Sequence, residues 1–312
     1  MAASPAPERT TMHLREWLAL LVGVFAVSWA APLIRLAEAP ALTVAALRLT
    51  FAAIPLLVLA LLLRRGELRA LRRGDLVLLG LAGLCIGAHF GFWVASVQDT
   101  SLVASTAIVA TQPLFAGVGG WLLLGERMTR ALMLGIGIST VGALLLAGAD
   151  FGEATSLRGD FFALLGAAFV AAYFLAGRRA RAGLSNVSYA AIVNSVGACA
   201  LLLTLTATGG SPVGHEGSAY VFIVLLALVP QLIGHGSLTW ALGSLPAVVV
   251  TVAALGEPVG AAAIGATLLD EPPTLIELIG AAVLLSGVYV ALRGGPGVAL
   301  GAAGQGGSEG TR

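Results

Sequence analysis

Ten stretches of predominantly apolar residues follow one another along the chain, separated by short segments that hold most of the charged residues. Each stretch is close to the roughly 20 residues that an α-helix needs to cross the hydrocarbon core of a bilayer. They lack the short alternating pattern of a transmembrane β-barrel. The pattern therefore predicts ten transmembrane helices, at residues 16–36, 41–63, 75–97, 101–124, 131–149, 159–177, 187–208, 218–242, 245–268 and 274–293.

The fourth and ninth stretches resemble each other, and such internal similarity is typical of a duplicated architecture. At an offset of about 145 residues, Val103–Glu126 aligns with Ala247–Glu271, and Gln112 meets Glu257. The same offset aligns other pairs: Pro113 with Pro258, Gly120 with Gly265, Glu126 with Glu271, Gly135 with Gly280, and Gly142 with Gly287.

The duplication also predicts the domain organisation. Five helices is an odd number, so the second copy enters the membrane from the opposite side to the first. We therefore predict an all-α integral membrane protein made of two inverted five-helix repeats, residues 16–150 and 159–293. A disordered arm (1–15) is expected to precede them, and a disordered Gly-rich tail (294–312) to follow.

The composition agrees with a membrane protein and excludes several other classes. Only 11% of the residues are charged and 58% are hydrophobic, with a mean hydropathy of +0.96. Soluble domains are about 25% charged. The formal net charge of +1 gives no indication of a nucleic-acid partner. Both cysteines, Cys85 and Cys199, lie in apolar runs and indicate neither a disulfide framework nor a metal site.

The distribution of arginine predicts the orientation. The loop at 64–74 contains five arginines, and further arginines follow the fourth, sixth and tenth helices. All these loops fall on one side if both termini are cytoplasmic, whereas the loops of the other side are mainly acidic. We therefore expect a multi-pass protein of the plasma (inner) membrane with both termini in the cytoplasm.

Two ionisable residues at membrane depth are the first candidates for function. Glu257 is the one acid near the middle of the ninth stretch, and a charge at that depth costs about 3 kcal/mol, so it needs a partner, a proton or a cavity. It is a candidate to bind a proton or a cationic substrate group, or else a structural acid. Arg48 lies well inside the second helix; it is expected to pair with Glu257, bind an anionic substrate group, or bond backbone carbonyls.

His89 and His235 lie in the third and eighth stretches, which are counterparts in the duplication. On a helix, His89 is opposite the ridge formed by Gly83, Gly87 and Gly91, so it should face away from that close-packing surface. Either histidine is a candidate for substrate contact, and the alternative is an interhelical hydrogen bond. Two histidines on separate helices do not indicate a metal site.

Three further residues complete the candidate pathway. Trp29 and Tyr173 are counterparts near the ends of the first and sixth stretches, and their rings either line a cavity or serve as packing and interfacial anchors. Gln112 occupies the position of Glu257 in the first copy, and its default role is an interhelical hydrogen bond. The sequence predicts no cofactor.

The chain resembles the drug/metabolite transporter superfamily, specifically its ten-helix EamA-type members. The resemblance covers about residues 16–293, and three stretches bear it: PLIRLAEAPALTVAALRLTFAAIPLLVL, HFGFWVASVQDTSLVASTAIVATQPLFAGVGGWLLLGER and GHGSLTWALGSLPAVVVTVAALGEPVGAAAIGATLLDE. It implies translocation of a small-molecule substrate across a lipid bilayer, often export of amino acids or related metabolites. The acidic-proline pair at Glu257 is common in the second repeat of this family, whereas the first copy departs from it with Gln112.

Alternating access between two repeats, driven by protons or by exchange, is the mechanism that this resemblance favours. The alternatives are a channel, a non-transporting sensor, or an intramembrane enzyme. We predict no enzyme, since no HExxH, GxSxG or nucleotide-binding motif is found. Glycine-rich helix faces serve contacts within one subunit or between two, so a homodimer stays open.

Overall fold

The computed structural model describes residues 11–100, 102–126, 128–148, 157–268, 275–294 and 299–300. These residues are mostly helical, and they include one parallel pair of two-residue strands, β1 (Thr11–Met12) and β2 (Ala299–Leu300). Most of the predicted arm and tail lies outside the described residues. α1 begins at Leu14, two residues before the predicted start of the first helix.

The first half contains the helices α1 (Leu14–Val27), α2 (Ala30–Leu36), α3 (Ala41–Leu63), α4 (Arg65–Arg69), α5 (Arg73–Asp99), α6 (Leu102–Val109), α7 (Gln112–Leu124) and α8 (Arg130–Gly148). The second half contains α9 (Leu157–Ala180), α10 (Asn186–Ala207), α11 (Gly217–Leu226), a π-helix (Ala227–His235), α12 (Gly236–Ala241), α13 (Ala247–Ala253), α14 (Gly256–Leu268) and α15 (Leu275–Gly294).

Eight helical spans within the described residues are long and apolar enough to cross a membrane, and two more apolar helices are shorter, Arg130–Leu145 and Leu278–Arg293. The second predicted span coincides with α3, and the others agree with the helices to within a few residues. Large apolar side chains such as Leu62, Leu123 and Phe161 are exposed on the outer faces. In water these surfaces would be unfavourable, so lipid is their natural environment.

Several spans are interrupted close to prolines that the sequence marks as candidate hinges or kinks, namely Pro32, Pro113, Pro230 and Pro258. The first span turns at Ser28 and Trp29 between α1 and α2. The fourth is broken between α6 and α7, and the ninth is broken between α13 and α14. The eighth contains the π-helix, with Pro230 inside it. Irregular backbone at membrane depth is tolerated only where protein or a cavity surrounds it.

Glycines set the close contacts between the two halves. A Cβ at Gly135 would lie 2.4 Å from the backbone nitrogen of Ala291, and one at Gly142 would lie 2.3 Å from that of Leu284. As the chain advances along α8 the contact moves backward along α15, so these two helices are antiparallel. α5 and α9 are antiparallel as well, because Gly159 meets Asp99 whereas Gly166 meets Trp93.

Candidate functional site

A small cavity, which we call the central cavity, lies between the two halves of the molecule. Its volume is about 20 Å³, enough for one water molecule. Residues of both halves line it: Val27, Ala30, Arg48, His89, Trp93, Val109, Gln112, Val170, Phe174, His235, Leu238, Ala254 and Glu257. Five of the seven residues that the sequence singled out therefore share one cavity.

The breaks in two helices bring Gln112 and Glu257 to this cavity. Gln112 is the first residue of α7, and Glu257 is the second residue of α14. The backbone nitrogen of Glu257 donates to the carbonyl of Ala254 at 2.9 Å. Both residues thus lie at the N-terminal end of a half-helix inside the bundle, and this end of the helix dipole is positive. Gln112 is buried and Glu257 is partly accessible.

Arg48 is fully buried, and its hydrogen-bond partner is an amide. Its Nε donates to Oε1 of Gln231 at 3.1 Å. Nε2 of Gln231 donates to Oδ1 of Asn194 at 2.8 Å, and Nδ2 of Asn194 donates to the carbonyl of Ala190 at 2.7 Å. The guanidinium carbon lies 3.9 Å from the ring centroid of Phe90, within the range of a cation–π contact.

The ion pair that the sequence suggested between Arg48 and Glu257 is not formed. Both residues line the central cavity, but the ion pairs within 4.0 Å among the described residues do not include theirs. Gln231 and Phe90 hold the guanidinium by its Nε and its face, and both Nη atoms remain without a hydrogen bond to the described residues.

The two histidines lie side by side with different partners. Nδ1 of His89 is 2.9 Å from the carbonyl of Gly166, and since a carbonyl only accepts, this nitrogen bears the proton. The His89 ring stacks on Trp93 with centroids 5.7 Å apart, and lies 6.4 Å from the ring of His235. His235 stacks on Phe174 at 6.2 Å. No metal-binding group of His, Cys, Asp or Glu exists among the residues with described positions.

Trp29 and Tyr173 stand apart from the other candidates. Trp29 is half-buried against the apolar core and does not line the central cavity. Tyr173 is buried next to the cavity-lining His235, with the two ring centroids 6.2 Å apart, and its ring stacks on Tyr189 at 6.0 Å.

Phe90 and Phe174 at this site were not predicted from the sequence. Gln231 and Asn194 are polar residues within apolar stretches, for which the sequence predicts interhelical hydrogen bonds, and the structure has such bonds. For Trp93 the sequence favours a packing or interfacial role, whereas its ring lines the cavity. The helical spacing of four residues contains a signal for Trp93 and Gln231, since Trp93 follows His89 and His235 follows Gln231 at that interval. Periodicity gives no comparable signal for Asn194, which acts through Gln231.

Several buried polar atoms around the central cavity make no hydrogen bond to any described group. They are Nη1 and Nη2 of Arg48, Nε1 of Trp93, Oε1 of Gln112 and Nδ1 of His235. Buried polar atoms in proteins are nearly always paired, so each exception calls for an explanation. Donors and acceptors grouped around one cavity are what a site for a polar ligand requires.

Polar contacts join the two halves at both ends of α9. Near its first turn, Nε of Arg158 lies 3.1 Å from a carboxylate oxygen of Asp99. Near its last turn, Arg178 lies 3.7 Å from Glu126 and donates from Nη1 to the carbonyl of Leu242 at 3.1 Å. The central cavity touches α9 between these two contacts, at Val170 and Phe174.

Taken together, the apolar outer faces, the interrupted spans and the enclosed polar cavity define a multi-pass membrane protein with an internal site between two halves. A model described as the EamA-like transporter family matches residues 14–148 and, a second time, residues 157–293. The chain therefore belongs to the EamA-like transporter family, with the family domain present twice.

Named relatives are transporters. The uncharacterized transporter YdfC of Bacillus subtilis (strain 168) is 26% identical over 205 residues, covering 65% of this chain and 67% of YdfC. A probable terminal-alkyne amino-acid exporter of Streptantibioticus cattleyicolor is 28% identical over 251 residues, covering 80% of each chain. One crystal structure aligns with 90% of this chain and 97% of its own, with a TM-score of 0.72 at 20% identity, which is a likeness of fold alone.

Proposed function

We propose that the protein is a secondary transporter that exports a small metabolite by alternating access around the central cavity. The observation that carries the proposal is the cavity itself. It lies where two half-helices begin, it groups unpaired polar atoms, and contacts between the halves flank it along α9. At about 20 Å³ it is too small for a metabolite, so substrate entry requires the halves to move apart.

The architecture we propose is ten transmembrane helices in two inverted repeats. The contacts between helices support it, because they are preserved when the halves are exchanged. α5 contacts α9, and the counterpart contact joins α1 to the π-helix and α12. α8 contacts α15, which occupies the equivalent place in the second half, and the two are antiparallel. Counterpart helices that run in opposite directions are what an inverted repeat requires.

The substrate class that we propose is an amino acid or a related compound. The cavity holds a cation, Arg48, and an acid, Glu257, and such a pair suits a small molecule bearing both charges. The relative named a probable terminal-alkyne amino-acid exporter supports the same class and the outward direction. The arginine-rich loops support a plasma-membrane location with both termini in the cytoplasm.

Glu257 is the group that we propose for coupling to protons or to a cationic part of the substrate. An acid that lines a cavity at membrane depth is more stable neutral or paired than alone and charged. It therefore binds a proton or a substrate ammonium readily and releases it when the cavity opens to water.

Counterflow in proteoliposomes tests this function. Vesicles loaded with unlabelled L-alanine, L-threonine or L-phenylalanine are expected to accumulate the same labelled compound from outside, since a carrier shows trans-stimulation and a channel does not. Glu257→Gln should insert and fold normally but lower the pH-dependent net transport by about tenfold or more. Glu216→Gln, an exposed acid before α11, is the matched control and should transport like the wild type. Wild-type transport by Glu257→Gln at every pH would contradict the coupling role.

A further inference from the structure

We propose that Arg48 is a carboxylate-binding site, and that Gln231 and Asn194 are positioning residues that hold its guanidinium ready for the substrate. This inference rests on the proposed function, since it names the substrate group that the central cavity recognises. The observation behind it is that Arg48 is 0% exposed and lines the cavity, yet both of its Nη atoms lack a hydrogen bond to the described residues.

The part of the Arg48 guanidinium that makes no hydrogen bond determines which ligand fits. A guanidinium presents its donors in a planar fork that matches the two oxygens of a carboxylate, and Lys does not provide this geometry. Gln231 occupies Nε, and the ring of Phe90 lies under the face of the plane. The remaining edge, with Nη1 and Nη2, is therefore the part that a ligand carboxylate meets.

The amide relay behind Arg48 fixes its orientation. Because Oε1 of Gln231 accepts from Arg48, its Nε2 must donate, and Oδ1 of Asn194 accepts that bond. Nδ2 of Asn194 then donates to the backbone of its own helix, at Ala190. Each amide in this relay can be oriented in only one way, because its oxygen accepts one hydrogen bond and its nitrogen donates the next. The relay therefore holds the arginine in one rotamer without neutralising its charge. Holding a ligand group in its bound geometry in advance lowers the cost of binding.

The local backbone explains how Gln231 reaches the arginine. It lies in the π-helix Ala227–His235, directly after Pro230, which has no amide hydrogen to donate. π-helical segments are frequent at functional sites because they shift side chains out of the regular α-helical register. Gln231 and His235 are both buried and both turn toward the centre of the bundle from this segment.

An obligatory bond between Arg48 and Glu257 is the competing explanation. In that case the two charges would cancel, and no substrate carboxylate would be needed. The geometry argues against it, because the two groups do not come within 4.0 Å of each other and both Nη atoms of Arg48 make no hydrogen bond to the described residues. Buried donors of a charged group that make no hydrogen bond are costly, so they persist where a ligand of opposite charge completes the site.

Matched pairs of acids and amides test the inference on the purified full-length protein in detergent. The probes are L-alanine with L-alaninamide, L-threonine with L-threoninamide, and acetate with acetamide. Ligand-induced thermal stabilisation gives the affinity without any transport. The acids should stabilise the wild type, and each amide should bind at least about tenfold more weakly. Equal stabilisation by acid and amide, or none by any acid, would overturn the proposal.

Variants separate the binding residue from its support. Arg48→Gln should abolish the preference for acids; Arg48→Lys, which keeps the charge and is the safer variant for folding, should weaken acid binding by about tenfold while preserving some preference. Gln231→Met, of similar shape, should lower the ratio of acid to amide affinity, a quantity that a purely structural role would leave unchanged. Thr251→Val, which removes a buried hydroxyl away from the cavity, is the control and should keep the ratio. Retention of the wild-type ratio by Arg48→Gln would refute the site.

The two levels of the proposal fail in different ways. Binding of acids without trans-stimulated counterflow would support the carboxylate site and contradict the proposed carrier function. Equal trans-stimulated counterflow of acids and of their amides would support the carrier function and contradict the carboxylate site at Arg48.

Discussion

At the scale of single residues, the type of group that a polar side chain meets on another helix determines what the residue does. Arg48 bonds an amide, not an acid, and so keeps its charge available. Glu67, in the arginine-rich loop, shows the opposite case. Its carboxylate accepts bonds from the backbone of Ser185 at 3.1 Å and from the hydroxyl of Ser188 at 2.8 Å, at the start of α10. It ties a loop of the first half to a helix of the second.

This contact predicts a dependence on pH. Burial alone would raise the pKa of Glu67, but hydrogen bonds from Ser185 and Ser188, with the charge of Arg64, hold the pKa below its usual 4.5. A depressed pKa means that the contact stabilises the fold above about pH 4.5 and loses this effect as the pH falls through the lowered value. The contact is partly solvated, so its contribution is about 1 kcal/mol or less.

Hydrogen exchange at the start of α10 measures the effect. Corrected for intrinsic rates, exchange in the segment 185–190 should be up to about fivefold faster at pH 3.5 than at pH 6.5. Glu67→Gln should show the faster exchange at both pH values. Asp75→Asn is the control, because the Asp75 carboxylate bonds to Arg72 in its own loop. Unchanged exchange in Glu67→Gln would mean that this contact does not hold the two halves together.

At the scale of helices, α8 and α15 pack through glycines, which allow the two backbones to approach closely. The glycines that the duplication aligns meet across it: a Cβ at Gly142 would lie 2.8 Å from the carbonyl oxygen of Gly280, and one at Gly287 would lie 2.6 Å from that of Gly135. Ser139 adds a hydrogen bond to the carbonyl of Leu284 at 3.1 Å. In lipid, where the hydrophobic effect does not drive helices together, such backbone proximity supplies the packing energy.

A single methyl group at two neighbouring glycines tests this contact. Alanine is favoured over glycine in a helix by about 1 kcal/mol. A Cβ at Gly137 would meet no described atom of another helix within 4 Å, so Gly137→Ala should be neutral or stabilising. Gly142→Ala places a Cβ 2.3 Å from the backbone of Leu284 and should instead destabilise the protein by about 1–3 kcal/mol. Thermal denaturation in detergent compares the two. Equal melting temperatures would show that the helices are free to separate at no cost.

The helices also mark how far the sequence alone leads. Hydropathy is a property of composition, so it predicted the spans well, and α3 coincides with its predicted range of 41–63. Prolines beside Gln112 and Glu257 and inside the eighth span indicated hinges or kinks at these places. They did not predict full breaks or a π-helix, because a bilayer-length apolar run looks the same whether or not its backbone is interrupted. Polarity at membrane depth identified Arg48, His89, His235, Gln112 and Glu257 as candidates, which line the cavity. Their partners depend on packing between distant helices, and Gln231 beside Arg48 is 183 residues away along the chain.

At the scale of the whole molecule, contacts between the halves exist at both ends of α9 in the same structure. Asp99 with Arg158 joins them near the first turn, and Glu126 with Arg178 joins them near the last. The central cavity between them is nearly closed at about 20 Å³. In this arrangement both ends are joined at once, and the cavity between them has room for no more than a water molecule. If the halves rock about the cavity, one end must open while the other stays joined, so each contact has to break once in every cycle.

Chemical cross-links at each end test this requirement. Two double variants, Asp99→Cys with Arg158→Cys and Glu126→Cys with Arg178→Cys, are made after Cys85 and Cys199 are replaced by serine. A short linker with two methanethiosulfonate groups joins each pair, and a reducing agent removes it. Either cross-link should abolish counterflow, because a carrier that cannot open one end cannot exchange substrate between the two sides, and reduction should restore it. Single-cysteine variants treated with the same reagent control for modification without a bridge. Full counterflow with one end joined would mean that substrate passes by a route that does not need that end to open, as in a channel, and the two-ended cycle would be wrong.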